Sequence, residues 1–296
     1  MQNSTARLIA SFKALADPVR LRITALCARG ECSVSELTQV MGESQPRVSQ
    51  HLRQLCEAGL LERFRDGQYV YYRVPLRGAR AAQHRRLMEL FPDDERQFER
   101  DRKRLQALRG EVRHETPAAL DDDARRRLHR ALVELTVTAP LGDLLDIGSG
   151  RGGLLKLLAS RARRVIGVDL DADARQLARA ELMLAGIDNC SLRKGDMYDL
   201  PFGEAEFDTV VLDDVLGKAE RPMDALREAC RLLRSGGRLI ILSAIGGAEA
   251  GRLEAQFADW CRHAGVRMAA PRLIPRRDPC WLLAIATQAE SRPAAA

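Results

Sequence analysis

Apolar residues recur at helical spacing through the first quarter of the chain, with Leu8, Phe12 and Leu15 on one stripe, Val19 to Ala28 forming a second and Ser35 to Met41 a third. Ser4 is placed to cap the first helix. Asp17-Pro18 opens the second with a cap and a first-turn proline, and Ser33 or Ser35 caps the third. Gly30 and Gly42 end these helices, and Ser44 then caps a fourth with Pro46 in its first turn. Within it Val48, Leu52 and Leu55 fall at i, i+4 and i+7. That spacing predicts a core-facing stripe and turns Arg47, Gln50 and Gln54 outward. After Gly59 the period changes to two: Leu60 to Arg65 and Gln68 to Val74 alternate around Asp66-Gly67, a hairpin signal.

The middle of the chain is charged, with a thin stripe of Phe98, Leu105, Leu108 and Val112 that predicts a helix with one buried seam. This helix is either a lever or dimer seam, or a helix lying on a neighbour. Thr116-Pro117 breaks it. Asp121 to Asp123 then precede a helix over Ala124 to Leu135, with Leu128, Leu132 and Leu135 on one face. From Leu144 on, apolar runs and helical stripes alternate. Strands are predicted at Leu144–Ile147, Val165–Val168, Cys190–Lys194, Phe207–Leu212, Arg238–Leu242 and Trp281–Ala286. Helices are predicted at Leu154–Ala162, Ala172–Ala185, Pro222–Leu233 and Arg252–Ala264, which makes a doubly wound α/β sheet.

A length of 296 residues accommodates two domains. The expected division is a winged helix-turn-helix domain at 1–77, connecting and dimerisation helices at 78–135, a cofactor-binding domain at 136–288 and a disordered tail at 289–296. Hydrophobic residues make up 46% and charged residues 30%, without the unbroken apolar run a membrane helix needs, so the expectation is a soluble protein. The start lacks a secretory signal, which makes a cytoplasmic location the default. The net charge of +6 is concentrated in the N-terminal half, as suits a phosphate-facing module joined to a neutral one. Seven cysteines lie scattered without a CxxC pair, which argues against a disulfide framework or a zinc ribbon.

Two segments carry candidate chemistry. On the fourth helix Arg47 can read guanine and Gln50 adenine, while Gln45 and Ser49 near its N-terminus are placed to reach base edges. A hairpin directly after such a helix is a wing, and Arg65 at its tip is the candidate for a minor-groove or phosphate contact. The second segment is the glycine loop after Leu144-Leu145-Asp146-Ile147, where Gly148, Gly150, Gly152 and Gly153 let the backbone pass close to a ligand. Asp169 follows about 20 residues later at the end of the next strand, where a carboxylate can take both hydroxyls of a ribose.

The run from Leu15 to Val74, LADPVRLRITALCARGECSVSELTQVMGESQPRVSQHLRQLCEAGLLERFRDGQYVYYRV, closely resembles the winged-helix domain of the ArsR family of bacterial repressors. The resemblance implies a homodimer, paired through the first helix and the one after the wing (about Gly78 to Leu90), on double-stranded operator DNA. Its metal-sensing members carry a CVC motif where this chain has Ser33, Val34 and Ser35, so no metal site is expected. Asp146-x-Gly-x-Gly-x-Gly, VIGVD, GDMYDLPF, FDTVVLDDVL and LLRSGGRLIIL resemble, in order, the class I S-adenosylmethionine-dependent methyltransferases over about residues 120 to 287. By that resemblance Asp146, Gly148, Gly150 and Gly152 contact the methionine part of the cofactor, Asp169 the ribose, and Asp196 with Met197 the adenine. Ser149 and Leu170 complete the expected set.

Known fusions of these two families usually carry an aromatic, Trp-Asp-rich connector and a histidine or tyrosine after the fourth strand. Here the connector reads LRGEVRHETPAALDDD, the loop reads Asp213-Asp214-Val215-Leu216-Gly217-Lys218, and the insertion after strand five shrinks to Ala244–Glu249. The acceptor side is depleted. The resulting expectation is a repressor whose operator affinity is set by S-adenosylmethionine or S-adenosylhomocysteine. The alternative is an active methyltransferase targeted or autoregulated by its winged helix, with Asp213 and Asp214 as candidate acceptor-positioning groups. A thiol sensor using Cys27, Cys32 or Cys56 is a third reading.

Overall fold

The computed structural model describes residues 4–76, 79–92, 95–110, 122–137, 140–245, 250–275 and 279–288. The chain divides into two units, the first taking in residues up to His114 together with Gln176–Ser191, the second Glu115–Arg175 and everything from Leu192. Val112, Thr116-Pro117, Asp121, Gly78, most of Ala244–Glu249 and the tail lie outside the described residues.

The first unit opens with α1 (Ser4–Leu15) and α2 (Pro18–Ala28), where Asp17 caps by accepting the Arg20 N–H at 2.9 Å. β1 (Cys32–Ser33) leads into α3 (Val34–Met41), whose start is fixed by a reciprocal cap between Ser33 and Glu36 and whose end is Gly42 in the left-handed region. α4 (Gln45–Glu57) buries Val48, Leu52 and Leu55, the stripe the sequence predicts. Ser44 holds the cap position, but its side chain makes no cap hydrogen bond. β2 (Glu62–Asp66) and β3 (Tyr69–Arg73) form the wing, and β1 adds to β3 in the order β1-β3-β2. β1 is two residues long, too short to show a period.

The wing departs from the sequence expectation by one residue. Asp66 pairs with Tyr69 inside the ladder, so the turn is Gly67-Gln68 and not Asp66-Gly67. Arg65 consequently faces Val70 within the strand rather than standing at the tip. α5 (Ala79–Met88) and α6 (Arg96–Gly110) follow; α6 buries Leu105 and packs on α2 and α3, so it lies on its neighbours.

In the second unit α7 (Asp122–Val137) buries Leu128 and Leu132 and precedes β4 (Asp143–Ile147). Then come α8 (Gly153–Leu158), β5 (Arg164–Asp169), α9 (Ala172–Leu184), β6 (Cys190–Lys194) and β7 (Phe207–Asp213). α10 (Pro222–Leu232), β8 (Leu233–Ala244), α11 (Ala250–His263), β9 (Val266–Met268), β10 (Arg272–Ile274) and β11 (Trp281–Gln288) complete it. The sheet runs β10-β11-β8-β7-β4-β5-β6, with β9 also on β11. β5, β4, β7 and β8 are parallel neighbours and β11 is antiparallel to β8. The predicted helix over Leu154–Ala162 tightens into a 3-10 turn at Ala159–Arg161. β8 starts at Leu233, earlier than Arg238, because the strand accommodates Gly236-Gly237 through a shift in register. β4 and its neighbours are buried on both faces, as apolar runs without alternation require.

α9 begins in the second unit, and from Gln176 its residues belong to the first. There Met183 joins the hydrophobic core of α2, α3 and α4. Arg179 is buried and donates through Nε to Glu31 at 2.8 Å and through Nη2 to Asp66 at 2.6 Å, with its guanidinium 4.0 Å from the Tyr71 ring centre. Ser191 donates to the other oxygen of Glu31 at 2.7 Å, and Arg73 stands 3.6 Å from that oxygen. Arg109 donates to Glu36 at 2.7 Å. Three buried guanidinium groups thus meet the carboxylates of Glu31, Glu36, Glu62 and Asp66, the counter-charge that buried charge demands.

Candidate functional site

α4 presents Gln45, Arg47, Gln50 and Arg53 to solvent, with Ser49 half-buried between them. Arg47 is 71% exposed and pairs with Glu43 at 2.9 Å, a contact of little energy that a phosphate or base edge can displace. Gln54 is exposed too, but its amide oxygen accepts from Arg20 at 2.7 Å, which commits it to holding α4 on α2. On the wing Arg63 and Arg65 are both exposed. Arg53 and Arg63 escaped the sequence reading, although Arg53 lies three residues past Gln50 on the outward face and Arg63 two before Arg65 on the strand.

The glycine loop lies at the C-terminal end of the parallel strands, where open α/β sheets bind ligands. Gly148 and Ser149 donate to the Val168 carbonyl at 2.9 and 3.0 Å, which pins the loop to β5. Gly148 sits at φ +83°, and a side chain there would overlap Val215. Asp169 accepts the Gly150 N–H through Oδ2 at 2.7 Å and the Asp171 N–H through Oδ1 at 2.9 Å. Asp171 in turn caps α9 by accepting the Asp173 N–H at 2.9 Å. Buried Arg175 donates to the Asp169 carbonyl at 2.9 Å.

Asp146 is fully buried, and among the described residues neither of its carboxylate oxygens has a hydrogen-bond partner; the Ser149 hydroxyl is likewise buried and unpartnered. Burial, reinforced by the charges of Asp213 and Asp169, pushes the Asp146 carboxyl well above the usual carboxylate range. Burial also pushes Asp213 up to about 7, with Asp214 and Asp169 adding and Lys218 opposing. Asp214 is occupied: it accepts the Ala244 N–H at 2.8 Å and pairs with Lys218, so it shapes the loop rather than facing an acceptor. Leu170 is 58% exposed beside Asp169. Asp196 is exposed and turns the chain by accepting the Tyr198 N–H at 3.1 Å, while Met197 packs on the edge of the core.

Asp213 loses its proton near neutrality in the folded chain but near pH 4 when unfolded, at about the ordinary carboxylate value. The native state therefore holds the extra proton between those values, and stability from this group falls as pH rises through about 7. Asp213→Asn is expected to gain thermal stability relative to the parent as pH rises from about 4 to about 7, levelling off above. Thermal melts at stepped pH check this; a pH-independent difference would refute it.

Burial pushes the Cys27 thiol well above its usual value, with the neighbouring free thiol of Cys32 adding to the shift, which makes it a poor nucleophile. Among the described residues no group of His, Cys, Asp and Glu is arranged to hold a metal ion.

Residues 17–63 match the model of the bacterial regulatory protein arsR family, and residues 145–241 match a methyltransferase domain model. The arsenic resistance transcriptional regulator ArsR1 of Pseudomonas putida is 56% identical over 64 residues, which cover 21% of this chain and 50% of that one. The ubiquinone/menaquinone biosynthesis C-methyltransferase UbiE of Ectopseudomonas mendocina is 32% identical over 127 residues, 42% of this chain and 50% of that one. The chain therefore spans about half the length of these curated relatives. The N-methyltransferase NodS of Bradyrhizobium japonicum, solved with S-adenosyl-L-homocysteine, shares the fold at a TM-score of 0.52 and 21% identity, covering 62% of this chain and 98% of that one.

Proposed function

We propose that this chain, an ArsR-type helix-turn-helix domain fused to a methyltransferase domain, is a DNA-binding transcriptional regulator whose operator affinity is set by S-adenosylmethionine or S-adenosylhomocysteine. The carrying observation is the unpartnered, fully buried Asp146 carboxylate behind a glycine loop, in the same chain as an exposed recognition face. A buried carboxylate without partners awaits a donor or cation from a ligand. The residues fit the cofactor: Asp169 would take the ribose hydroxyls, Asp146, Ser149 and the loop glycines Gly148, Gly150 and Gly152 the amino-acid end, and Asp196 with Met197 the adenine, beside Leu170. When bound, the cofactor supplies an activated methyl group.

A regulatory ligand must bind the DNA-competent and incompetent states with different affinity. α9 supports a route for that difference. Its capping residue Asp171 hangs on Asp169, while its Arg179 holds Glu31 and the wing residue Asp66. Exposed Leu8, Ile9 and Phe12 on α1 support pairing of two copies through that helix. Among the described residues no helix is long and apolar enough to cross a membrane.

The test is operator binding by fluorescence anisotropy at fixed salt, titrated with each ligand on a DNA fragment from beside the gene. A shift with either ligand is expected; no shift, with both ligands bound, refutes the sensor. Arg47→Ala and Gln50→Ala are each expected to weaken operator binding about 10- to 100-fold, with ligand affinity unchanged. Unaltered operator binding in both would sink the assigned DNA face. The alternative, an active methyltransferase, draws on the Asp213 carboxyl, which can accept a proton near neutrality. Turnover of S-adenosylmethionine to S-adenosylhomocysteine with a candidate acceptor would establish it.

A further inference from the structure

Three neighbouring strands set a row of residues across the mouth of the loop. Asp146 on β4 stands beside Gly167 on β5 and Val211 on β7, and residues in register on parallel strands share a face. Two residues further along, β5 and β7 end in Asp169 and Asp213, and Gly148 follows the last residue of β4. Continued past the last paired residues, the register sets a carboxylate on either side of this glycine with Asp146 behind, and the charges of Asp169 and Asp213 both act on Asp146. Gly148 confirms the closeness, since a Cβ on it would stand 2.9 Å from the Asp213 carbonyl oxygen. Asp146 has neither oxygen partnered, the Ser149 hydroxyl is open, and no hydrogen bond or ion pair reaches the Asp213 carboxylate among the described residues.

Among the described residues, no ion pair joins a cation to the carboxylates of Asp146 or Asp213 in this cup. Lys218 is tied to Asp214, and Arg175 donates to the Asp169 main-chain carbonyl behind the row. The cup thus gathers three carboxylates; burial keeps a proton on Asp146 and, below about pH 7, on Asp213, and a cation bound beside them draws those protons off. The two cofactor forms differ in one respect that such a site can measure. S-adenosylmethionine has an ammonium, a carboxylate and a sulfonium, whereas S-adenosylhomocysteine has lost the sulfonium charge with the methyl group. At the effective dielectric of a partly buried site, one unit charge a few ångströms from a carboxylate changes affinity by tenfold or more.

We infer that the Asp169–Gly148–Asp213 row backed by Asp146 selects the sulfonium-bearing cofactor over its demethylated product, with Asp213 as the specificity-determining residue. The ligand that sets operator occupancy is then S-adenosylmethionine, and loss of its methyl group releases it. This rests on the cofactor reading above and adds which form is sensed.

The test is isothermal titration of the full chain with S-adenosylmethionine, S-adenosylhomocysteine and sinefungin, which replaces the sulfur by carbon and the methyl group by a charged amine. S-adenosylmethionine and sinefungin are expected to bind at least about tenfold more tightly than S-adenosylhomocysteine, by a margin that narrows with added salt. Asp213→Asn should reduce that margin to about threefold or less by weakening the two cations alone. Asp213→Ser, which leaves more space, should do the same. Equal or tighter binding of S-adenosylhomocysteine by the parent overturns the inference, as does an unchanged margin in folded Asp213 variants. Displacement of S-adenosylmethionine by millimolar magnesium would also overturn it, by making the cup a divalent-cation site. If neither variant folds, the parent's margin and its salt dependence decide. A preserved margin with no ligand effect on operator binding would refute the sensor and leave the selectivity standing.

Discussion

Arg179→Ala is expected to destabilise the first unit by about 3–5 kcal/mol, the cost of leaving buried carboxylates without their counter-charge. The guanidinium holds Glu31 at 2.8 Å and Asp66 at 2.6 Å, and all three side chains are buried. Arg179→Lys should recover only part of the loss, because a single ammonium nitrogen cannot stand where both Nε and Nη2 stand and lacks the planar group that lies over Tyr71. Neutralising the acids instead, with Glu31→Gln and Asp66→Asn added to Arg179→Met, should restore most of the stability, since the penalty belongs to unpaired charge. Urea unfolding of the single and triple variants checks this. A loss below about 1 kcal/mol for Arg179→Ala would mean that the pairs are solvated and contribute as surface bridges do. Operator binding should fall with the same substitution, because Asp66 closes the wing ladder against Tyr69.

Gly148→Ala is expected to weaken binding of either cofactor form by about 100-fold or more, because the loop has no room to adjust. A methyl group there would overlap Val215 Cγ1 and press on the Asp213 carbonyl at 2.9 Å, at a φ of +83° that L-residues rarely adopt. The loop would shift away from β5 and disturb the Gly150–Asp169 hydrogen bond that sets its mouth. Titration calorimetry measures the loss, and ligand-free operator affinity should stay within about twofold of the parent's, because no ligand is then present to bias the operator-bound state. Cofactor affinity within about threefold of the parent's would show that the loop yields and that its glycine is not needed for close approach.

Long periodic segments were legible from the residues. Val48, Leu52 and Leu55 are buried as their spacing requires, and the apolar runs from Leu144 to Trp281 form the sheet. The strands that escaped are two or three residues long, Cys32–Ser33, Val266–Met268 and Arg272–Ile274, and no period can be read from so few positions. The hairpin turn was misplaced by one residue because Asp-Gly has strong local turn chemistry, whereas the ladder is extended by a tertiary partner, Arg179, 113 residues away in sequence. The glycine loop and its acids were visible as a motif. The unpartnered state of Asp146 was not, since it depends on what other strands fail to supply. Gln54 illustrates the reverse, an outward polar residue whose amide is taken by Arg20.

Gln176–Ser191 completes the first unit from within the stretch of chain that builds the parallel sheet. The two halves of the sequence are therefore not modular in the sense that a gene fusion suggests. A fragment ending before α9 would carry Glu31 and Asp66 without Arg179, and a core lacking Met183. A chimera that exchanges either half for a relative's would inherit the same defect unless α9 travelled with the winged helix. The heritable unit is the pair, and substitutions at Glu31, Asp66 and Arg179 should be found together or not at all.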